Sequence, residues 1–480
     1  MPLNIVMIVA DDVSAADIGC YGNPGVRTPD LDRLASEALR FTNAYVTVPS
    51  CSPSRCSMLT SRYPHNLETA GELHGALPEG VALFPQLLRE AGYYTMHAGK
   101  AHFGTNADNG VQTLVGPARA AFDIGGDGEP VPGKGGHGGE EKWLQRLRTR
   151  PEGRPFFAWF ASHDAHRIWD AGEFTGTHNG ADVTVPASLL DTPETRADLA
   201  LYYDEIARLD HHVGEVIREL ERQGVLEQTV VIFLSDHGRP FPRAKTHPYD
   251  EGVLTPLIIR MPGGQAAPAV VDALASMIDL APTILELAGV EAPPSFQGVS
   301  LYPILRDPKA TVRDFVFAEQ NWHNFPAHVR LVRHGDFAYL RNAWPELRLP
   351  GASDTFYNPS ADALKAAHAE GTPALTPAQA NIFQQPRPAE ELYDLRADPD
   401  QTRNLAGDPG ARETLEFLRS VLDRWTTETG DTVPTHPTKP DTIYETGKKY
   451  GPVERGEPPG AAAHALRINA PGPVKLSDLP

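Results

Sequence analysis

Cysteine is scarce in this chain, with only Cys20, Cys51 and Cys56 among 480 residues. Three thiols make no disulfide framework, and without CxxC pairs there is no cysteine-rich zinc site. Positive charge is also in deficit: 43 Lys and Arg stand against 62 Asp and Glu, a formal charge of −19. Binding along a phosphate backbone needs clustered cations, so no nucleic-acid partner is expected, although a local basic pocket for one small anion is compatible with this total. No apolar run reaches the roughly 18 residues that span a bilayer, so no membrane partner is expected either. The N-terminus, MPLNIVMIVADD, lacks a basic stretch and a small-residue cleavage site. With no signal peptide visible, the expected location is cytoplasmic, or periplasmic or secreted if a leader has been removed. The GxxxxGK[ST] order of a phosphate loop is missing too, and the Gly-rich stretch Gly125–Gly139 reads as a flexible surface loop.

What is present builds a large core. Hydrophobic residues make up 41% and charged residues 22% of the chain, which argues against disorder. The 42 glycines and 45 prolines exceed their usual share of about 12% and call for long, shaped loops. Short apolar runs at Leu3–Ala10, Tyr93–His97, Phe156–Ala161, Thr229–Leu234 and Thr255–Arg260 read as buried strands. They alternate with helical stretches from Thr28-Pro29 to Ala38, at Val81–Ala91, Thr195–Gln223 and Ser276–Ala288. This alternation predicts an α/β fold with a mostly parallel sheet flanked by helices over residues 1–314. Strands at Phe315–Glu319 and Phe337–Arg341 and a helix at Ala411–Thr427 predict a smaller α+β subdomain over 315–430, followed by an irregular wrapping tail over 431–480.

The chemistry concentrates at strand ends, where open α/β sheets collect ligands. Asp11-Asp12 follows the first strand, and Asp236-His237-Gly238 follows TVVIFL. Adjacent carboxylates repel unless a cation lies between them, and their hard oxygens suit Ca²⁺ or Mg²⁺. Cys51-Ser52-Pro53-Ser54-Arg55 places a thiol where a loop enters a helix starting near Pro53, a position that favours anions, with Arg55 adding a fixed charge. A lone Cys there is more often a buried structural residue. Gly99-Lys100-Ala101-His102-Phe103-Gly104 and Ser162-His163-Asp164-Ala165-His166 also follow strands.

The run Cys51-x-Pro53-Ser54-Arg55, followed by Leu59-Thr60-x-Arg62, resembles the signature of the formylglycine-dependent sulfatases, a family of the alkaline phosphatase superfamily. The resemblance extends from Asn4 to about Leu405. It implies that a formylglycine-generating maturation enzyme converts Cys51 to the aldehyde, whose hydrate offers one hydroxyl to attack sulfur and a second whose deprotonation expels sulfate. It assigns Arg55 a supporting role, Lys100 and Lys245 contacts to sulfate oxygens, and His102 contact with the formylglycine hydroxyl. His166 faces the leaving group, with His163 beside it. Asp11, Asp12, Cys51, Asp236 and His237 become the metal set, for Ca²⁺ or another divalent ion, the His237 nitrogen leaving its identity open. Cys56 is structural and Arg243 a surface charge. His323, with Asn321, Trp322 and Arg330, lines either the substrate mouth or the packing of the subdomain. Asp191-Thr192-Pro193 through Pro240-Phe241-Pro242, and Glu391-Leu392-Tyr393-Asp394-Leu395, most resemble the sulfamidase (heparan N-sulfatase) branch. The implied partner is a small sulfated sugar or aryl compound, with a homo-oligomer possible. The alternative is a phosphonate monoester or phosphodiester hydrolase of the same superfamily.

Overall fold

The computed structural model describes residues 2–104, 114–125, 139–264 and 268–479, together with the backbone of 111–112 and 129–130. Most of the Gly-rich stretch expected to form a loop lies outside the described residues. Seven strands make the central sheet: β1 (Asn4–Ala10), β2 (Leu39–Phe41), β3 (Tyr94–Gly99), β4 (Phe156–Ala161), β5 (Thr229–Ser235), β6 (Leu257–Arg260) and β7 (Ala269–Val271). They lie in the order β7-β2-β6-β5-β1-β4-β3. Six share one direction. β6 alone runs against its neighbours β5 and β2, so the expectation of a mostly parallel sheet holds while this strand is reversed.

The alternation of side chains along β1 divides the core. Ile5, Met7 and Val9 face one layer, with helices α1 (Pro29–Ser36), α2 (Cys51–Thr60), α3 (Phe84–Glu90), α4 (Trp143–Thr149), α5 (Pro193–Arg222) and α6 (Leu280–Leu287) distributed over the two faces. Leu59 of α2, Leu88 of α3 and Ile284 of α6 pack on that face. Val6, Ile8 and Ala10 face the other layer, built by Leu31 of α1, Leu147 of α4 and Ile206 of α5. Because both faces are covered, β1, β4 and β5 are buried at every position, which is why their sequences read as unbroken apolar runs. Their register places Val9 beside Ala161 and Ala10 beside Ser235. Asp11-Asp12, Ser162-His163 and Asp236-His237 therefore leave the sheet side by side.

Several helices differ from their expected bounds, some for evident local reasons. α3 starts at Phe84 rather than Val81 because Pro85 fits only its first turn. The stretch from Ser276 opens with a 3-10 turn at Met277–Asp279, capped reciprocally by Ser276 and Asp279, before α6 begins at Leu280. α5 starts at Pro193, two residues earlier than expected, with the Thr192 side chain accepting from the Thr195 N–H. Among the described residues no helix is long and apolar enough to cross a membrane.

A second sheet is antiparallel, in the order β8 (Val316–Gln320), β9 (Val329–His334), β10 (Phe337–Asn342) and β11 (Glu390–Asp394). Helix α7 (Arg412–Thr429) covers it, Leu418, Leu422 and Trp425 packing on Phe317, Val332, Tyr339 and Leu392. The chain after α7 runs back over both sheets' layers. Asp431 pairs with Arg330 at 2.7 and 2.8 Å, and the buried Arg62 donates to the carbonyls of Leu466 and Ile468 at 2.9 and 2.8 Å.

Trp425 ties these layers together: it is fully buried, stacks on Phe317 at 4.8 Å and meets Tyr63 edge-on at 5.0 Å. Trp425→Ala is expected to cost roughly 3–5 kcal/mol, read as a lower unfolding midpoint in urea. A loss below about 1 kcal/mol would mean that α7 is dispensable for this packing.

Candidate active site

Helix α2 is buried at all ten positions. Ser50 is its extended N-cap, and the Ser54 N–H closes the first turn on the Ser50 carbonyl at 2.9 Å. The helix therefore begins at Cys51, not near Pro53. Pro53 sits within the first turn, where a missing N–H costs nothing. The Cys51 side chain stands at the positive end of the helix dipole.

The charged groups around it interlock. Arg55, one turn along and fully buried, donates through Nε to Asp236 Oδ2 at 2.9 Å and through Nη1 to the Lys100 carbonyl at 3.2 Å. Its Nη2 lies 3.6 Å from Asp11 Oδ1. Lys100 binds Asp11 Oδ2. Lys245 donates to Asp12 Oδ2 at 2.9 Å and to Asp354 Oδ2 at 2.8 Å. Asp236 Oδ1 accepts the Asp12 N–H at 3.1 Å. His237 Nε2 lies 3.2 Å from Cys51 Sγ and 3.1 Å from Asp12 Oδ1.

A cation fits this arrangement. Each of Asp11 and Asp12 gives one oxygen to a lysine, while the buried Asp11 Oδ1 and Asp12 Oδ1 make no hydrogen bond of good geometry among the described residues, only the ion-pair approaches of Arg55 and His237. Ligand atoms of Asp11, Asp12, Cys51 and His237 all lie within 4.8 Å of one another. Asp236, expected in the same set, instead spends its oxygens on Arg55 and the Asp12 amide, at the edge of the group.

The electrostatics follow from burial opposed by charge pairing. Burial acts to raise the Asp11 carboxyl, but Lys100, His166, Arg55 and Lys245 hold it well below the usual range. Asp236 is raised by burial, only partly offset by Arg55 and His237. Burial would lower Lys100 and Lys245, yet Asp11 raises the first, and Asp12 with Asp354 the second. His237 is lifted to about 10, the surrounding Asp236, Cys51 and Asp12 overcoming desolvation. His102 and His163 go the other way: burial, followed by His74 and Lys100 for the first and Lys100 for the second, keeps both rings neutral.

The remaining expected residues line this centre. His102 Nε2 is 2.8 Å from His74 Nδ1, and its Nδ1 has no partner among the described residues. His163 is buried with Nε2 likewise unpartnered there. His166 is half-buried, its Nε2 3.5 Å from Asp354 Oδ2. His323 Nδ1 lies 2.8 Å from Ser50 Oγ, and Trp322 packs with Leu73 beside Cys51. Cys56 is fully buried in the core.

One expected placement is corrected. Arg243 is no surface charge: it is buried over the Tyr249 ring at 4.1 Å and donates to the Gln401 carbonyl at 2.6 Å. Of the two settings left open for Arg330, the structure gives subdomain packing: its guanidinium is held by Asp431 and Asn321, 3.7 Å from Glu319. His74 and Asp354 were missed, and neither stands in a pattern that marks it. Asp12, His74, His102 and Thr246 all adopt left-handed backbone, at φ 61°, 59°, 47° and 72°. Such conformations cost about 1–3 kcal/mol each in non-glycine residues and cluster where function fixes a side chain.

Residues 3–290 match the sulfatase family, and residues 243–339 match the family described as N-sulphoglucosamine sulphohydrolase, C-terminal. The chain is 33% identical to human N-sulphoglucosamine sulphohydrolase, over 90% of this chain and 91% of that protein. It is 30% identical to an ulvan-active sulfatase of Formosa agariphila, over 89% of this chain and 75% of that protein. Human arylsulfatase A is 29% identical over 88% of each. A solved structure described as BT4656 in complex with its substrate D-glucosamine-2-N,6-O-disulfate superposes with a TM-score of 0.68 at 20% identity, over 89% of this chain and 98% of that one, and shares the fold. The chain belongs to the sulfatase family, hydrolases of sulfate esters or sulfamates.

Proposed function

We propose that this protein releases sulfate from an N-sulfoglucosamine-type substrate, using a formylglycine made from Cys51 and a divalent cation. The observation that carries the reading is the position of Cys51, at the N-terminus of a fully buried helix and facing Asp11, Asp12 and His237 within 4.8 Å. The N-sulfo preference draws support from the match of residues 243–339 and from the 33% identical human relative.

Each side chain has a task that its surroundings suit. Arg55 and the helix terminus orient the nucleophile and favour negative charge beside it. Lys100 and Lys245 meet the sulfate oxygens, charge-assisted in a site closed to water. His102 is kept neutral by burial, and in the tautomer that donates Nε2–H to His74 Nδ1 its own Nδ1 is a bare acceptor for the proton of a nucleophile hydroxyl. His166, on the open side, passes a proton to the leaving nitrogen or oxygen. Asp11, Asp12, His237 and the side chain of residue 51, with Asp236 beside them, would hold a divalent cation, which would supply Lewis-acid polarisation of a sulfate oxygen. Ca²⁺ is the first choice for the carboxylate oxygens, with Mg²⁺ the other hard ion they suit, and the imidazole leaves room for a softer divalent ion.

Matured protein should yield a Cys51 peptide about 18 Da lighter than its sequence mass, since CHO replaces CH₂SH. Lys245→Ala should lower kcat/KM about 10²–10³-fold on every sulfated substrate. The deciding assay compares N-sulfoglucosamine, an aryl sulfate and an aryl phosphonate monoester in the presence of Ca²⁺. Fastest turnover of the N-sulfo sugar supports the proposal. Preference for the aryl sulfate would remove the N–S assignment, and turnover of the phosphonate alone would replace it with the phosphoryl alternative.

A further inference from the structure

The reacting centre is closed on most sides. Asp11, Asp12, Arg55, Asp236 and His237 have no exposed side-chain surface, and Lys100 and Lys245 have 3% and 1%. Among the described residues of the site, the open side is formed by His166 and Asp354, with 32% and 26% of their side chains exposed. At that opening lies a groove of about 560 Å³, lined by Ile168, Trp169, Leu201, Tyr357 and Pro359 and ending on Asp354. Ile168 and Leu201 are 77% and 39% exposed, a costly display for large apolar side chains on a chain of charge −19. The floor is built rather than loose. Arg167 donates to both oxygens of Asp198 at 2.6 and 2.7 Å and lies 4.4 Å over the Trp169 ring, while the Trp169 indole N–H donates to the same carboxylate at 2.7 Å.

The geometry points to this groove as the leaving-group subsite, specific for a ring with one apolar face and N–H or O–H donors, neutral or cationic, and closed to carboxylated rings. The inference rests on the proposed reaction and adds to it what the far side of the scissile bond must be. Continuity supports it: the Asp354 carboxylate that ends the groove is the one bound to Lys245, whose ammonium also holds Asp12. Charge complementarity supports the rest. Asp354 is held anionic, burial notwithstanding, chiefly by Lys245 and then His166. Its free edge accepts from donors and repels a uronate, while the apolar walls suit the C–H face of a pyranose.

Ile168→Ser and Leu201→Ser test this on exposed positions outside the catalytic centre. Each should raise KM for N-sulfoglucosamine roughly five- to tenfold at unchanged kcat, the mark of lost uniform binding, and leave inhibition by inorganic sulfate unaltered. Methyl glucosaminide, titrated by saturation-transfer NMR, should bind wild-type protein at least about tenfold more tightly than methyl glucuronide, and each serine variant should weaken it by the same factor as KM. Asp354→Asn should narrow the gap between the two glycosides. Unchanged KM and unchanged glycoside binding in both serine variants would overturn the subsite while leaving the reaction in place. Absent turnover with groove-dependent glycoside binding would overturn the reaction and leave the subsite standing.

Discussion

Everything in this protein answers to one electrostatic constraint: Asp11, Asp12 and Asp236 meet at the ends of two neighbouring parallel strands, out of reach of water. Two carboxylates about 4 Å apart repel by about 4 kcal/mol at an effective dielectric of about 20, and each also forfeits its hydration. The chain answers with three cationic side chains. Arg55 arrives from a helix, Lys100 from the end of β3 and Lys245 from the loop after β5, each directed at a different carboxylate. The oxygens left over converge on one point beside Cys51. The rise of His237 to about 10 measures how strongly that point calls for positive charge.

The rest of the fold holds these groups still. Parallel strands buried on both faces fix the strand ends, and a helix buried all round fixes Cys51. Left-handed backbone at Asp12, His74, His102 and Thr246 is sustained by the packing around it. The antiparallel sheet and the chain beyond α7 close the remaining walls: Glu319 binds His65 at 2.6 Å, Trp322 donates to the Lys439 carbonyl at 2.9 Å, and Arg455 lies 5.0 Å over the Trp322 ring. The cluster is thus shut on the side of Cys51 and open toward His166 and Asp354.

The legible parts of the sequence were those whose signal is local. Asp11-Asp12, Lys100, His163 and Asp236-His237 each follow a strand whose apolar run identifies it, so topology alone brings them together. Helix α5 announced itself through its thirty-residue pattern. β2 and β7, three residues each, are too short for any periodicity, and a four-residue strand such as β6 carries no mark of direction. Asp354 reaches the site across 109 residues from Lys245, and His74 across 28 from His102; nothing near either residue indicates its partner. Arg243 looked like a surface charge because its partners, Tyr249 and the Gln401 carbonyl, assemble only in the folded chain.

The central claim, that the strand-end carboxylates form a cation site at Cys51, is tested most directly by calcium titration of the metal-stripped protein by calorimetry, with the thermal midpoint followed alongside. The account predicts one Ca²⁺ per chain and a higher midpoint, both abolished in Asp12→Asn although the variant stays folded. Absence of stoichiometric binding of Ca²⁺, Mg²⁺ or any other divalent ion by the wild-type chain would contradict it.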